Sequence, residues 1–92
     1  MEKITINEKD YKGIHVPTEN TALLIIQGEK GMLACGYINI ETADKLDEKV
    51  VIVTGVKNFD DMLKAKVFKC SNAARECGVN EEMTGEQALA FL

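Results

Sequence analysis

Met32-Leu33-Ala34-Cys35-Gly36-Tyr37-Ile38-Asn39-Ile40-Glu41-Thr42-Ala43-Asp44-Lys45-Leu46-Asp47-Glu48-Lys49-Val50-Val51-Ile52-Val53-Thr54 is the stretch whose reading decides the fold. Its first seven residues, through Ile38, are apolar enough on both faces for a buried strand. Thr42 reads as a helix N-cap, with Ile40, Ala43 and Leu46 on one stripe at helical spacing. Lys49–Thr54 is a β-branched run closed by Gly55, the pattern of a second buried strand. Strand, helix and strand in that order predict a β-α-β crossover near residues 32–54, with the second strand parallel to a neighbour.

Upstream, the chain punctuates like an antiparallel sheet. Short β-rich runs at Lys3–Ile6, Gly13–Pro17 and Ala22–Gln27 are separated by turn-formers, and Gly28-Glu29-Lys30-Gly31 reads as a hairpin turn. Downstream, the pattern turns helical. Asn58 can cap a helix carrying Phe59, Met62 and Leu63. A second helix is expected from Lys66 to Gly78, with Val67, Cys70, Ala73, Ala74 and Cys77 inward. Thr84 and Gln87 make a capping box for a last helix, Gly85–Leu92. The expectation is a single α+β domain over residues 1–92. It has a mostly antiparallel sheet of about five strands packed against three or four helices.

The totals narrow the function classes. Ninety-two residues, 46% apolar, make one core and leave no room for a second. Fifteen acidic and eleven basic residues give a net charge of −4. Residues 1–55 carry six basic and nine acidic groups, and residues 56–92 carry five and six. Neither half has the basic footprint of a nucleic-acid binder, and an anionic membrane surface is disfavoured for the same reason. The longest apolar run, Ala22–Ile26, is too short to span a membrane, and Met1–Ile6 alternates like a strand rather than a signal peptide. The three cysteines are then expected as reduced thiols of a cytoplasmic protein.

Motif by motif, little chemistry emerges. Cys70 and Cys77 sit two helical turns apart on the expected helix, too far for a disulfide or a shared metal, and read as core. Cys35 lies in the small Ala34-Cys35-Gly36 triplet, which leaves space beside its thiol. It is the candidate nucleophile, and its only conceivable histidine partner is His15, on another strand. One histidine, with no Cys-x-x-Cys, leaves no metal set, and nothing calls for a cofactor. Gly28-Glu29-Lys30-Gly31 matches the Gly-x-x-Gly of RNA-binding KH modules in letters only, because strand-like runs flank it. Thr54-Gly55-Val56-Lys57-Asn58 runs from a buried strand into a helix, a place where α/β domains bind ligands. Met83-Thr84-Gly85-Glu86 is a second start of that kind. Candidate ligand-binding residues are therefore Asn39, Thr54, Gly55, Asn58, Thr84 and Gly85, around Cys35.

These pieces resemble the small YunC-like proteins of bacteria and archaea, a domain of unknown function, DUF1805. The resemblance runs through Ala34-Cys35-Gly36, Asn39, Gly55-Val56, Phe59-Asp60-Asp61-Met62-Leu63-Lys64-Ala65, Ala73-Ala74 and Gly78-Val79. It ends with Met83-Thr84-Gly85-Glu86-Gln87-Ala88-Leu89, where Glu82 replaces the family's opening glycine. The resemblance implies a compact α/β domain and brings no agreed substrate or catalytic residue with it.

The leading expectation is a small self-associating binding or regulatory module without catalysis. A sheet apolar on both faces needs cover on both, and so short a chain lacks the helices to supply it, which predicts a homo-oligomer. The alternatives are a small enzyme using Cys35 as a reactive thiol, or a structural subunit of a larger complex.

Overall fold

The computed structural model describes residues 2–92. One sheet holds six strands in chain order: β1 (Glu2–Ile6), β2 (Lys9–Pro17), β3 (Ala22–Gln27), β4 (Gly31–Ala34), β5 (Lys49–Ile52) and β6 (Lys69–Cys70). Four short helices complete it: α1 (Ile40–Lys45), α2 (Phe59–Lys64), α3 (Asn72–Glu76) and α4 (Gly85–Leu89). β4 and β5 are parallel, with Leu33 opposite Val51, and every other neighbouring pair is antiparallel. The crossover expected over 32–54 is thus β4-α1-β5, in a mostly antiparallel α+β domain.

Turn chemistry sets the meander. Asn7 and Glu8 both hold positive φ, 51° and 68°, which gives the β1–β2 turn the twist its strands need. Because β1 pairs along its whole length, β2 begins at Lys9, four residues before the expected start. At the β3–β4 turn, the Gly28 amide donates to the Gly31 carbonyl at 2.8 Å.

Strand alternation divides the sheet into two faces. On the inner face Tyr11, Leu24, Ile26, Leu33, Val51 and Val53 pack with Met62 of α2, Ala74 of α3, and Ala88 and Leu89 of α4. On the outer face Val50 and Ile52 pack with Ala43 of α1, beside Met32, Ile38 and Ile40. Burying a single Leu or Val side chain contributes about 1.5–3 kcal/mol, so the inner face carries most of the stability. The helix α1 covers only the β4–β5 part of the outer face. Over β2 and β3, Val16 is 48% exposed, and Ile14 and Ile25 are half-buried.

The structure corrects the sequence reading in three further places. First, β4 stops at Ala34 and not at Ile38, because the Ile38 amide turns back to the Cys35 carbonyl, 3.2 Å away. The N-cap of α1 is accordingly Asn39, whose Oδ1 accepts from the Glu41 amide at 2.8 Å, and Thr42 lies inside the helix. Second, residues 66–71 are extended. Phe68 donates to Ile52, Ser71 to Val50 and Val67 to Met83, and these distant partners draw the segment into the sixth strand. Only Asn72–Glu76 is helical, so Cys70 is buried on a strand while Cys77 is exposed at the helix end. Third, α4 ends at Leu89 instead of running to Leu92, although its Thr84–Gln87 capping box is present.

Buried Ser71 holds the β5 edge to α3. Its hydroxyl donates to the Glu48 carbonyl at 2.7 Å and accepts from the amides of Val50 and Ala74 at 3.0 and 3.3 Å. One donor and two lone pairs are all used.

Candidate functional site

The carboxyl ends of β4 and β5 lie side by side, and the chain leaves them toward opposite faces. From β4 it passes to α1 on the outer face, and from β5 to α2 on the inner face. Divergent connections of this kind open a crevice between the strand ends, the usual ligand position in open α/β sheets. Here the crevice is a cleft of about 380 Å³. Cys35, Gly36 and Tyr37 line it from the β4 side, Thr54, Gly55, Val56 and Lys57 from the β5 side, and Thr21 and Ala22 from the start of β3.

Cys35 is positioned by the end of a ladder. Its amide donates to the Leu24 carbonyl at 3.0 Å, and the Leu24 amide donates to its Sγ at 3.3 Å, where a carbonyl would otherwise stand. The thiol is therefore held at the cleft floor and only 5% exposed. Tyr37 leans across the rim, 56% exposed, with its hydroxyl donating to Thr18 Oγ1 at 3.4 Å. Gly55 holds φ +69°, and a methyl group built on it would meet nothing within 4 Å. Val56 turns inward and is buried.

Across most of the chain the same architecture appears in relatives. The family model described as "Domain of unknown function (DUF1805)" matches residues 34–92. The chain belongs to the DUF1805 family. It is 24% identical over 90 residues to the uncharacterized protein YunC of Bacillus subtilis (strain 168), covering 94% of this chain and 89% of that one. It is 38% identical to TA1206 of Thermoplasma acidophilum, a protein of unknown function whose crystal structure superposes with a TM-score of 0.92. That likeness covers 97% of this chain and 87% of the other. From Cys35 to Lys57 the cleft lies within the segment matched to DUF1805, and Thr21 and Ala22 lie before it.

In this DUF1805 domain the residues singled out from sequence divide into two groups. Cys35, Thr54 and Gly55 meet in the cleft. Asn39 lines an adjoining hollow of about 490 Å³ that shares Gly36, Tyr37 and Thr54 with the cleft, but its side chain is engaged as the α1 cap. The side chain of Asn58 is likewise engaged, accepting from the Asp61 amide at 2.7 Å. Thr84 caps α4, and the Gly85 amide donates to the Ala65 carbonyl. A side chain at Gly85 would overlap the Met62 carbonyl, so that glycine allows α2 and α4 to touch. Thr84 and Gly85 line no part of the cleft.

The register also decides the Cys35–His15 pairing. His15 lies opposite Leu24 on β3, and Leu24 is bonded in turn to Cys35. Two strand spacings, about 9.5 Å, therefore separate the imidazole's strand position from the thiol's, with Leu24 between them. Among the described residues no three His, Cys, Asp or Glu side chains converge as a metal set. Thr21 and Tyr37 were not singled out from sequence, and Lys57 only as a member of the 54–58 loop. Thr21 ends a turn remote from the crossover, and only the β2–β3 pairing brings it to this end of the sheet.

Proposed function

We propose that this domain is a small binding module that holds a small molecule in the cleft at the ends of β4 and β5, without turning it over. The divergence of the two connections carries this reading, since it makes a ready crevice with polar groups from three elements. The absence of catalysis is supported by the spacing of Cys35 and His15, which leaves the thiol no imidazole to activate it. A cytoplasmic setting fits three thiols that stand unpaired.

The test is amide-resolved NMR during titration with a mixed library of neutral and charged fragments. Shifts gathering at Gly36, Tyr37, Thr54, Gly55 and Val56 are expected, and shifts confined to other surfaces would overturn the assignment. Thiol mapping tests the non-catalytic part. Cys77, exposed, should react first, while Cys70 stays protected until unfolding because burial pushes its thiol pKa up. Rapid modification of Cys35 ahead of Cys77 below pH 7 would favour the enzyme reading instead.

We further propose that the module self-associates, on the strength of the uncovered outer face around Val16. A two-fold pair needs only one such patch and covers it twice. Light scattering should return a dimer or a higher oligomer that Val16→Asp dissociates. A monomeric wild type at micromolar concentration would remove the proposal and leave that face to a different protein.

A further inference from the structure

Taking the cleft as a binding site, the polarity of its lining reaches further, to the class of ligand. The protein is acidic, with fifteen Asp and Glu residues, yet among the described residues no Asp or Glu lines the cleft. Its one charged side chain is Lys57, and among the described residues the ion pairs are Lys9–Glu29 and Arg75–Glu81, so Lys57 is engaged in none. Asp61, four residues on, turns its Oδ2 to the Lys57 amide at 3.0 Å and takes its place in the first turn of α2, away from the lining.

The backbone contributes in the same sense. Among the described residues the amides of Gly36, Thr54, Gly55 and Val56 find no protein acceptor in the loops they occupy. The hydroxyls of Thr21 and Thr54 are free of protein hydrogen bonds as well. An ammonium with no carboxylate beside it favours negative charge in whatever enters the crevice, and the unpaired amides and hydroxyls of the lining residues can donate to that charge. Its walls are apolar: Ala22, Val56 and the Tyr37 ring. At about 380 Å³ it sits at the small end of ligand pockets.

We infer that the cleft binds a small organic monocarboxylate, its anionic end on Lys57 and the Thr54–Val56 amides and its apolar body against Tyr37 and Val56. The inference rests on the proposed binding role of the cleft and adds the charge and shape of the ligand. An inorganic anion would satisfy the donors and leave the apolar walls wet.

The experiment compares matched pairs by amide NMR on the full chain: benzoate with benzamide, isobutyrate with isobutyramide, and inorganic phosphate as the anion without a body. Each carboxylate should bind at least about tenfold more tightly than its amide, the scale of one charge-assisted hydrogen bond. The shifts should centre on Thr54, Gly55 and Val56. Lys57→Gln, a change at an exposed position, should bring the affinity of each carboxylate down to within about threefold of its amide. Equal binding of acid and amide at the cleft would overturn the charge assignment and leave the binding role standing. Phosphate binding as tightly as the carboxylates would overturn the apolar part. If no fragment, neutral or charged, moves the cleft amides, the binding role falls and this inference with it.

Discussion

Gly31 opens β4 and Gly36 lies two residues past its end, and their surroundings differ completely. A methyl group on Gly31 would overlap the Lys49 carbonyl oxygen and come within 3.0 Å of Leu92 Cδ2; one on Gly28 would come 2.6 Å from the Leu92 carbonyl carbon. At the other end, a methyl group on Gly36 would meet only Thr54 Cγ2, at 3.8 Å, and one on Gly55 would meet nothing. The same residue type thus marks a filled end and an open one. Where β4 begins, glycines let backbones touch. Leu92 is buried there, and its carbonyl accepts from the Lys30 and Gly31 amides. That contact occupies the Gly-x-x-Gly turn with the chain's own residue, so the turn has a structural role. Where β4 ends, glycines leave space and expose backbone donors.

The sharpest way to break this comparison is Gly31→Ala. A Cβ pressed onto backbone cannot be relieved by a rotamer change, so the expected loss is about 3 kcal/mol, the upper range for overpacking. For a domain of this size that lowers Tm by more than about 10 °C. A loss below about 1 kcal/mol, measured by urea unfolding, would mean that the closed end is not filled.

Gly55→Ala and Gly36→Ala separate conformation from space at the open end. At Gly55 the cost is the left-handed backbone alone, about 1–2 kcal/mol, and Gly55→Asn should recover part of it. Gly36 has neither constraint, so its alanine variant should stay within about 0.5 kcal/mol of wild type while narrowing the cleft. Loss of ligand binding with unchanged stability is the expected signature for Gly36→Ala. Equal destabilisation by Gly36→Ala and Gly31→Ala would erase the distinction between the ends.

The crossover was legible because each of its elements declares itself locally: a two-faced apolar run, a helical stripe, a β-branched run. The sixth strand was not, because Val67, Cys70 and Ala74 repeat at helical spacing while the bonds that extend the segment come from Ile52, Val50 and Met83. Nothing within residues 66–71 announces those partners. The site was half legible for a related reason. Thr54 and Gly55 close a strand visible in sequence and Cys35 stands out by its small neighbours, although its strand ends at Ala34 and not at Ile38, whereas Thr21 arrives through pairing of distant strands. Asn39 and Asn58 both serve as helix caps, a role that calls for the same residue type at the same position as ligand binding does.

The smallest effect is expected outside both ends, at the exposed pair of Arg75 and Glu81. Its two guanidinium–carboxylate contacts, 2.5 and 3.3 Å, hold the Glu81 carboxyl below the ordinary glutamate range, chiefly through the hydrogen bond from Arg75. A carboxyl whose folded pKa is lowered contributes stability above its unfolded value, about 4.3, and loses it as pH falls through the folded one. Both side chains are bathed in solvent, so screening takes most of the interaction away. At pH 7 Glu81→Gln should therefore lower Tm by less than Gly55→Ala does. The difference from wild type should close both as the pH falls through the lowered Glu81 pKa and in about 1 M salt, where the screening length is about 3 Å. A difference that survives high salt would show that the pair does more than charge can, and that α3 is anchored there rather than by Ser71 and the packing around Ala74.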